Sequence, residues 1–172
     1  MEYIHIYKSP LGNIELFSNG QALTRLQFAG QKYAADPHRG DTSYSDLPVF
    51  LQTREWLDTY FRGTEPNFLP PLHLQGTLFQ LEVWHILTTI PYGVTMTYRD
   101  IACLMARKCN TKSMSAQAVG GAVGHNPISI IVPCHRVVGS DGSLTGYAGG
   151  IERKKKLLEM ESTPQPIGQP AP

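Results

Sequence analysis

A cysteine, a histidine and an arginine lie side by side in the stretch IIVPCHRVVG, which spans residues 130–139. The residues around them are mostly Ile and Val, a composition typical of a buried strand. A thiolate is the nucleophilic form of cysteine, and a neighbouring base or cation can promote it. The stretch therefore predicts either a nucleophilic Cys134 or a buried, unreactive cysteine, and these residues alone leave both readings open.

The order of Cys134 and His135 restricts how the two side chains can meet. In an extended strand, adjacent side chains point to opposite faces. His135 can therefore serve Cys134 only if the chain turns here or if a water bridges the two groups. Pro133 restricts the backbone just before the thiol. A structural zinc needs four ligands, and this pair has no matching pair nearby, so we predict no metal.

The elements before this stretch divide the chain into two parts. Residues 1–30 alternate between apolar and polar positions with tight turns between them, which predicts three antiparallel strands. We predict a helix from Pro48 to Arg62, capped by Asp46 and ended by Gly63. The side chains expected to share its apolar side are Phe50, Leu51, Leu57, Tyr60 and Phe61. A proline-rich linker follows, so the predicted units are 1–70 and 76–161, with 71–75 ending the linker and 162–172 a disordered tail.

The second part reads as helix, polar turn and helix. Thr77 with Gln80, and Thr97 with Asp100, form the pattern of a helix start in which side chains cap the first turn. The residues MSAQAVGGAVG predict a short helix with one side almost bare, since it presents only alanine and glycine. Small residues let a helix approach another helix closely or enter a narrow groove in nucleic acid, and the pattern leaves both open.

Charge and cysteine content narrow the class of protein. The net charge is +1 over 172 residues. Residues 1–90 carry six Lys/Arg against nine Asp/Glu, whereas residues 91–161 carry nine Lys/Arg against five Asp/Glu. This excess of positive charge predicts that an anion would bind the second part. The alternative is that the charge is only unevenly spread over a solvated surface. The three cysteines form no CxxC pair, and no apolar run of ~20 residues could span a bilayer. We expect a cytoplasmic protein with reduced thiols, with Cys103 in the core and Cys109 in an exposed turn.

The segment NPISIIVPCHRVVGSDGSLTGYAGG, residues 126–150, resembles the active-site signature of the O6-alkylguanine-DNA alkyltransferases. The resemblance extends over residues 76–161, through GTLFQLEVWHILTTIPYG, SAQAVGGAVG and ERKKKLLEME. It implies an α/β N-terminal domain of ribonuclease H-like layout, with a small antiparallel sheet and a helix. It also implies a mostly α-helical, winged-helix-like C-terminal domain with a helix-turn-helix.

The implied activity is DNA repair by direct damage reversal. The protein would bind double-stranded DNA through the minor groove, flip the alkylated guanine and move the alkyl group irreversibly onto its own cysteine, once per molecule. No cofactor, metal or membrane is implied, and a monomer is expected.

The resemblance assigns roles to residues of this sequence. Cys134 matches the alkyl acceptor, His135 the base that deprotonates it through a water, Glu161 the partner of the histidine, Tyr98 the proton donor to the leaving guanine, and Asn126 the brace of the active-site turn. The substrate pocket would use Val137, Tyr147, Ala148 and Gly149. DNA would contact Ser115, Ala116, Gln117, Ala118, Gly120 and Arg136.

One position departs from the family pattern. Gln117 replaces the arginine that usually fills the space of the flipped base, and a glutamine lacks the attraction of arginine for phosphate. Two other classes compete with the alkyltransferase reading. A lesion-binding protein without activity would have another residue in place of Cys134. A cysteine hydrolase would need an oxyanion hole and usually a distant histidine.

Overall fold

Two antiparallel hairpins build the sheet that opens the chain. The computed structural model describes residues 1–162, and the predicted disordered tail lies outside these residues except for Ser162. In chain order the elements are β1 (Tyr3–Ser9), β2 (Gly12–Ser18), β3 (Leu23–Phe28), α1 (Pro48–Phe61), α2 (Leu78–Thr88), β4 (Met96–Thr97), α3 (Tyr98–Lys108), α4 (Ala116–Gly124), β5 (Val137–Val138) and α5 (Ile151–Ser162). Short 3-10 turns cover Pro37–Arg39 and Cys134–Arg136.

The three predicted strands are confirmed. They pair in the order β1-β2-β3, with Ser9 opposite Gly12 at the first turn. Gly12 has a φ of 111°, a conformation that suits glycine because it has no Cβ. Helix α1 packs against all three strands and buries Phe50, Leu57 and Tyr60 completely.

Two details predicted for α1 are wrong. The residue before the helix is Leu47, and no side chain caps the first turn, because Pro48 leaves one fewer amide there to satisfy. Asp46 instead lies 3.8 Å from the Arg54 guanidinium. Leu51 was expected in the apolar side of the helix but is 46% exposed. Gly63 follows the helix at a φ of 82°, as expected for a helix end.

The second part contains the predicted helix-turn-helix in α3 and α4. The capping pairs Thr77–Gln80 and Thr97–Asp100 are both formed, which confirms the starts of α2 and α3. The indole of Trp84 on α2 donates to the carbonyl of Ala122 on α4 at 2.8 Å, so this hydrogen bond ties α4 to α2. The placement of Cys103 in the core is wrong, since its side chain is exposed, as is that of Cys109.

The outer edge of β3 joins the two parts. Residues 71–73 bond this edge through Leu23, whose amide donates to Pro71 at 2.8 Å and whose carbonyl accepts from His73 at 2.8 Å. Further along, the Leu26 amide donates to the Pro127 carbonyl at 2.9 Å, and its carbonyl accepts from Ser129 at 3.0 Å. The chain that leads into the Cys134 stretch is therefore held by backbone hydrogen bonds to the N-terminal sheet.

Candidate active site

The backbone around Cys134 forms a series of tight turns, and only Val137–Val138 form a strand. Pro133 has φ −82° and ψ 66°, the geometry of an inverse γ-turn, and the Cys134 amide donates to the Val132 carbonyl at 2.8 Å. Cys134–Arg136 then form one 3-10 turn. Of the two possibilities left open by the sequence, the chain therefore does turn at the cysteine.

Asn126 ties this series of turns together. Its side-chain amide donates to the carbonyls of Val132 at 2.8 Å and Ile128 at 3.3 Å, and its oxygen accepts from the Ile128 amide at 3.1 Å. Ile130 has a φ of 69°, a conformation that a β-branched residue seldom adopts. The Asn126 side chain and the bonds to β3 hold the backbone in this arrangement.

The thiol of Cys134 opens into a cavity of about 300 Å³. Cys134 itself is 6% exposed. Other lining residues come from four segments of the chain: Lys32, Tyr33, Tyr98, Gly120, Gly121, Val123, Gly124, His125, Asn126, Ser129, Gly146, Tyr147 and Ala148. A cavity of this size is large enough for a small aromatic molecule, and its walls combine aromatic rings with bare backbone.

Burial keeps the Cys134 thiol protonated at rest. Desolvation raises its pKa, and a hydrogen bond from Asn126 and the positive charge of Lys154 lower it only in part. A nucleophilic role for Cys134 would therefore require a nearby base that takes the thiol proton.

His135 and Glu161 form a fully buried pair that can supply this base. The imidazole Nε2 lies 2.8 Å from Glu161 Oε1. Although burial alone would raise the pKa of Glu161, hydrogen bonds from His135 and Arg136 lower it to about 2, so the carboxylate is ionised and only accepts. Nε2 must then carry the proton, and Nδ1 is the basic nitrogen. Nδ1 is buried and has no hydrogen-bond partner among the described protein atoms.

Arg136 does not lie where the resemblance placed it. It was expected to contact DNA, but its guanidinium is buried and donates to Glu161 at 2.8 and 2.9 Å and to the Ile90 carbonyl at 2.7 Å. We therefore correct this assignment: Arg136 neutralises Glu161 inside the protein. An unpaired carboxylate at this depth would be costly, which explains the arginine directly after the histidine.

Besides Tyr33, two tyrosines line the cavity, Tyr98 and Tyr147. Tyr98, the first residue of α3, donates its hydroxyl to the Thr145 carbonyl at 3.0 Å, and burial raises its pKa, so the hydroxyl stays protonated. Tyr147 is followed by Ala148, which also lines the cavity. Gly149 is buried outside it, where an added Cβ would lie 2.8 Å from the Phe28 ring. Val137 is buried as well, and its carbonyl accepts from Lys154.

The bare side of α4 is open, not packed against another helix. An added Cβ on Gly121 would meet no atom within 4 Å, and one on Gly120 would only touch the Tyr98 ring at 3.9 Å. Ser115 caps the helix by accepting from the Ala118 amide at 3.2 Å. Ala116, Gln117 and Gly120 also line a shallow groove beside Tyr98 and Arg99. Small residues therefore leave room for a ligand on this face.

Lys154 is a residue of this site that the sequence interpretation missed. It is completely buried, and its ammonium group donates to the carbonyls of Val137 at 2.5 Å, Gly146 at 3.1 Å and Thr145 at 3.5 Å. It thereby fixes the loop that carries Tyr147. Three consecutive lysines read as a solvated helix face, so no local signal distinguishes Lys154 from its neighbours.

The N-terminal part supplies one rim of the cavity, which was also missed. The Lys32 amide donates to the Ala148 carbonyl at 3.1 Å. Tyr33 stacks on His125 with a centroid distance of 4.3 Å, and the Lys32 ammonium lies 4.9 Å from the Tyr33 ring centroid. This rim places two aromatic rings and a cation at the entrance of the cavity.

Residues 1–162 contain no group of three or more His, Cys, Asp or Glu side chains placed to hold a metal ion. Among the same residues, no helix combines the length and the apolar character that crossing a membrane requires.

Comparison with known protein families matches both parts of the chain. The profile described as "6-O-methylguanine DNA methyltransferase, ribonuclease-like domain" matches residues 3–74. The profile described as "6-O-methylguanine DNA methyltransferase, DNA binding domain" matches residues 78–163.

Individual relatives agree with the family profiles. A methylated-DNA–protein-cysteine methyltransferase of Haemophilus influenzae is 42% identical over 165 residues, which cover 94% of this chain and 87% of the relative. The crystal structure of the Mycobacterium tuberculosis O6-methylguanine methyltransferase superposes with a TM-score of 0.84 at 41% identity, covering 97% of this chain and 96% of the other. A structure of the M. tuberculosis OGT in complex with DNA superposes with a TM-score of 0.81 at 42% identity, covering 93% and 92%.

Proposed function

The chain belongs to the 6-O-methylguanine-DNA methyltransferase family, and from this premise we propose that it repairs DNA by moving the alkyl group of an O6-alkylguanine onto Cys134. The observation that carries the assignment to Cys134 is a single cavity of about 300 Å³ that the buried thiol lines together with Tyr98, Asn126 and Tyr147. His135 follows directly in the same turn, and Glu161 from α5 completes the buried pair.

Proton transfer from Cys134 starts the reaction. His135 Nδ1 takes the thiol proton through a bridging water, and Glu161 stabilises the imidazolium that results. Because the thiol is nearly enclosed by protein, the thiolate forms with little hydration and is a strong nucleophile. Asn126 lowers the pKa of the thiol by hydrogen bonding, which favours the thiolate further.

Transfer of the alkyl group follows deprotonation of the thiol. The sulfur attacks the alkyl carbon, a C–S bond forms and the bond between that carbon and guanine O6 breaks. The electron pair of the broken bond goes to the guanine, which takes a proton from the Tyr98 hydroxyl. The proton held by His135 returns to Tyr98 through solvent. The products are an S-alkylcysteine and an unmodified guanine, and a thioether is not reversed by thiol exchange.

DNA is the partner, and we further propose that α4 binds it through the minor groove in a winged-helix-like arrangement. The exposed small residues Ser115, Ala116 and Ala118 suit a narrow groove, and Gln117 would fill the space of the flipped guanine. Flipping costs a few kcal/mol, which contacts in the Cys134 cavity would offset. We also propose that the protein acts as a monomer in the cytoplasm.

A stoichiometric reaction with a defined duplex tests the proposal. The protein is mixed with a duplex carrying one O6-methylguanine, and the peptide that contains Cys134 is weighed. We expect one added methylene mass per molecule and no further turnover with excess DNA. Cys134→Ser should abolish the mass gain and keep duplex binding, while Cys103→Ser should react like the wild type. Sustained turnover would indicate a hydrolase, and binding without mass gain would indicate a lesion-binding protein.

A further inference from the structure

Glu161 is held by more than the two residues next to Cys134. Its Oε1 accepts from the hydroxyl of Tyr60 at 2.9 Å, in addition to His135 Nε2 and Arg136 at 2.8 Å each. Tyr60 lies on α1, 101 residues before Glu161 in the sequence. The N-terminal part therefore contributes a hydrogen bond to the same carboxylate oxygen that faces the catalytic histidine.

The surroundings of Tyr60 fix the direction of this hydroxyl. The residue is completely buried, and its ring stacks on Trp56 at a centroid distance of 5.3 Å and an angle of 9°. Tyr92 contacts it edge-on at 6.3 Å, and His135 does so at 6.5 Å. A ring packed in this way has few rotamers available, so the hydroxyl stays on Glu161.

The Tyr60 hydroxyl acts only as a donor in this position. Burial and the nearby charge of Glu161 raise its pKa well above 10. Each donor on Oε1 draws negative charge away from the Nε2–H of His135. Tyr60 therefore both orients the carboxylate and weakens its pull on the imidazole.

From this geometry we propose that Tyr60 is a positioning residue for alkyl transfer, acting through Glu161 on the proton affinity of His135. The proposal rests on the proposed function, because it concerns the base of that reaction. The charged or titratable groups around the pair of His135 and Glu161 are Lys154 from α5, Arg136 and Cys134 from the 3-10 turn, Tyr60 from α1, and Tyr92 and Tyr147 from loops.

Removing the hydroxyl has a defined expected sign. In Tyr60→Phe, Oε1 loses one donor, its charge is less neutralised and the imidazolium of His135 is stabilised. The pKa of His135 then rises, and the acid limb of the pH–rate profile should move up by roughly 0.5–1 pH unit. At a pH well below the pKa of His135, transfer should fall by about three- to tenfold, whereas binding of an unmodified duplex should stay unchanged.

Tyr92→Phe is the matched control. The Tyr92 hydroxyl is buried in the same aromatic group and has no hydrogen-bond partner among the described residues. The substitution therefore removes the same atom from a neighbouring ring without removing a hydrogen bond. We expect the acid limb of this variant to coincide with that of the wild type.

Two further measurements separate the possible outcomes. The His135 imidazole is titrated by NMR in the wild type and in Tyr60→Phe, which needs no alkyl transfer. In a Glu161→Gln background, Tyr60→Phe should cause no further shift, because it acts through the carboxylate. If the wild type transfers no methyl group, the proposed function fails. If it does, but Tyr60→Phe leaves the acid limb and the imidazole titration in place, only the role of Tyr60 is wrong.

Discussion

At the scale of single residues, the central feature is a buried pair in which His135 is neutral and Glu161 is ionised. Burial lowers the pKa of His135 below 6.5, so the folded protein keeps it neutral. Hydrogen bonds that His135 and Arg136 donate keep Glu161 ionised. The two groups together form a neutral imidazole beside a carboxylate, which is the state that the proposed deprotonation of Cys134 requires.

The same two groups predict how stability depends on pH. Below pH 6.5 the unfolded chain binds a proton at His135 before the folded protein does, so stability falls as the pH falls. Glu161 adds a second loss between its ordinary pKa of 4.5 and its folded value of about 2. A pKa difference of this size corresponds to roughly 3 kcal/mol.

Urea unfolding between pH 2.5 and pH 7, about the range of the two titrations, measures this dependence. Glu161→Gln should flatten the part of the stability curve below pH 4.5, because a glutamine cannot titrate. Glu152→Gln, an exposed substitution on the same helix, should keep the wild-type slope. Equal slopes for wild type and Glu161→Gln would contradict the ionised, buried carboxylate.

At the scale of elements, the proposed DNA-binding surface lies on α4, and the reactive cysteine of the proposed transfer lies in the segment after it. Gln117 is exposed near the start of α4, whereas the cavity follows the far half of the helix from Gly120 to His125. A side chain at position 117 should therefore affect flipping of the base and not the alkyl transfer itself.

Substitutions of Gln117 test this separation. Gln117→Ala should slow transfer from duplex DNA strongly and leave the reaction with free O6-benzylguanine almost unchanged, since the free base needs no flipping. Gln117→Arg should strengthen duplex binding. The affinity for the duplex should also fall more steeply as salt is added, because one more cation would contact phosphate. Rates are measured with both substrates at several salt concentrations. Equal duplex rates for all three proteins would remove Gln117 from the flipping step.

Helix α5 acts as the anchor of the loop over the cavity. Lys154 bonds two carbonyls of this loop, Thr145 and Gly146, and that of Val137 on β5, so Lys154→Met should loosen the loop and slow transfer both from duplex DNA and from the free base. The free energy of unfolding should fall by roughly 1–3 kcal/mol, since buried carbonyls lose their donor. Lys155→Met, an exposed change on the next residue, is the control. Equal losses in the two variants would show that Lys154 has no special role in the loop.

Local patterns predicted some of these elements well and others poorly. The capping pairs at Thr77 and Thr97 act within four residues, so the sequence alone was sufficient. The turn at Cys134 was not predictable from its apolar neighbours, because it depends on Asn126 and on hydrogen bonds to β3. The burial of Arg136 was not predictable either, since its partner Glu161 lies 25 residues away and only the fold brings the two side chains together.

At the scale of the whole molecule, the site depends on both parts of the chain. The N-terminal part supplies Tyr60 to Glu161, Leu26 to the segment before Cys134, and Lys32 to the loop at Ala148. The proposed DNA-binding helix α4 and the turn that holds Cys134 come from the other part. The apolar core is also continuous across both, with Phe28 and Ile130 in one buried cluster. The N-terminal part is therefore structurally required for the site.

This continuity predicts a single cooperative unfolding transition for the described chain. The two tryptophans report on the two parts separately, because Trp56 lies on α1 and Trp84 on α2. In Trp56→Phe and in Trp84→Phe, the remaining tryptophan fluorescence should follow the same denaturant curve as far-UV circular dichroism of that variant. Comparing the two signals within one variant removes the effect of the substitution on stability. A fluorescence midpoint that differs from the circular dichroism midpoint in either variant would mean that one part unfolds before the other, and that the hydrogen bonds across β3 do not couple them.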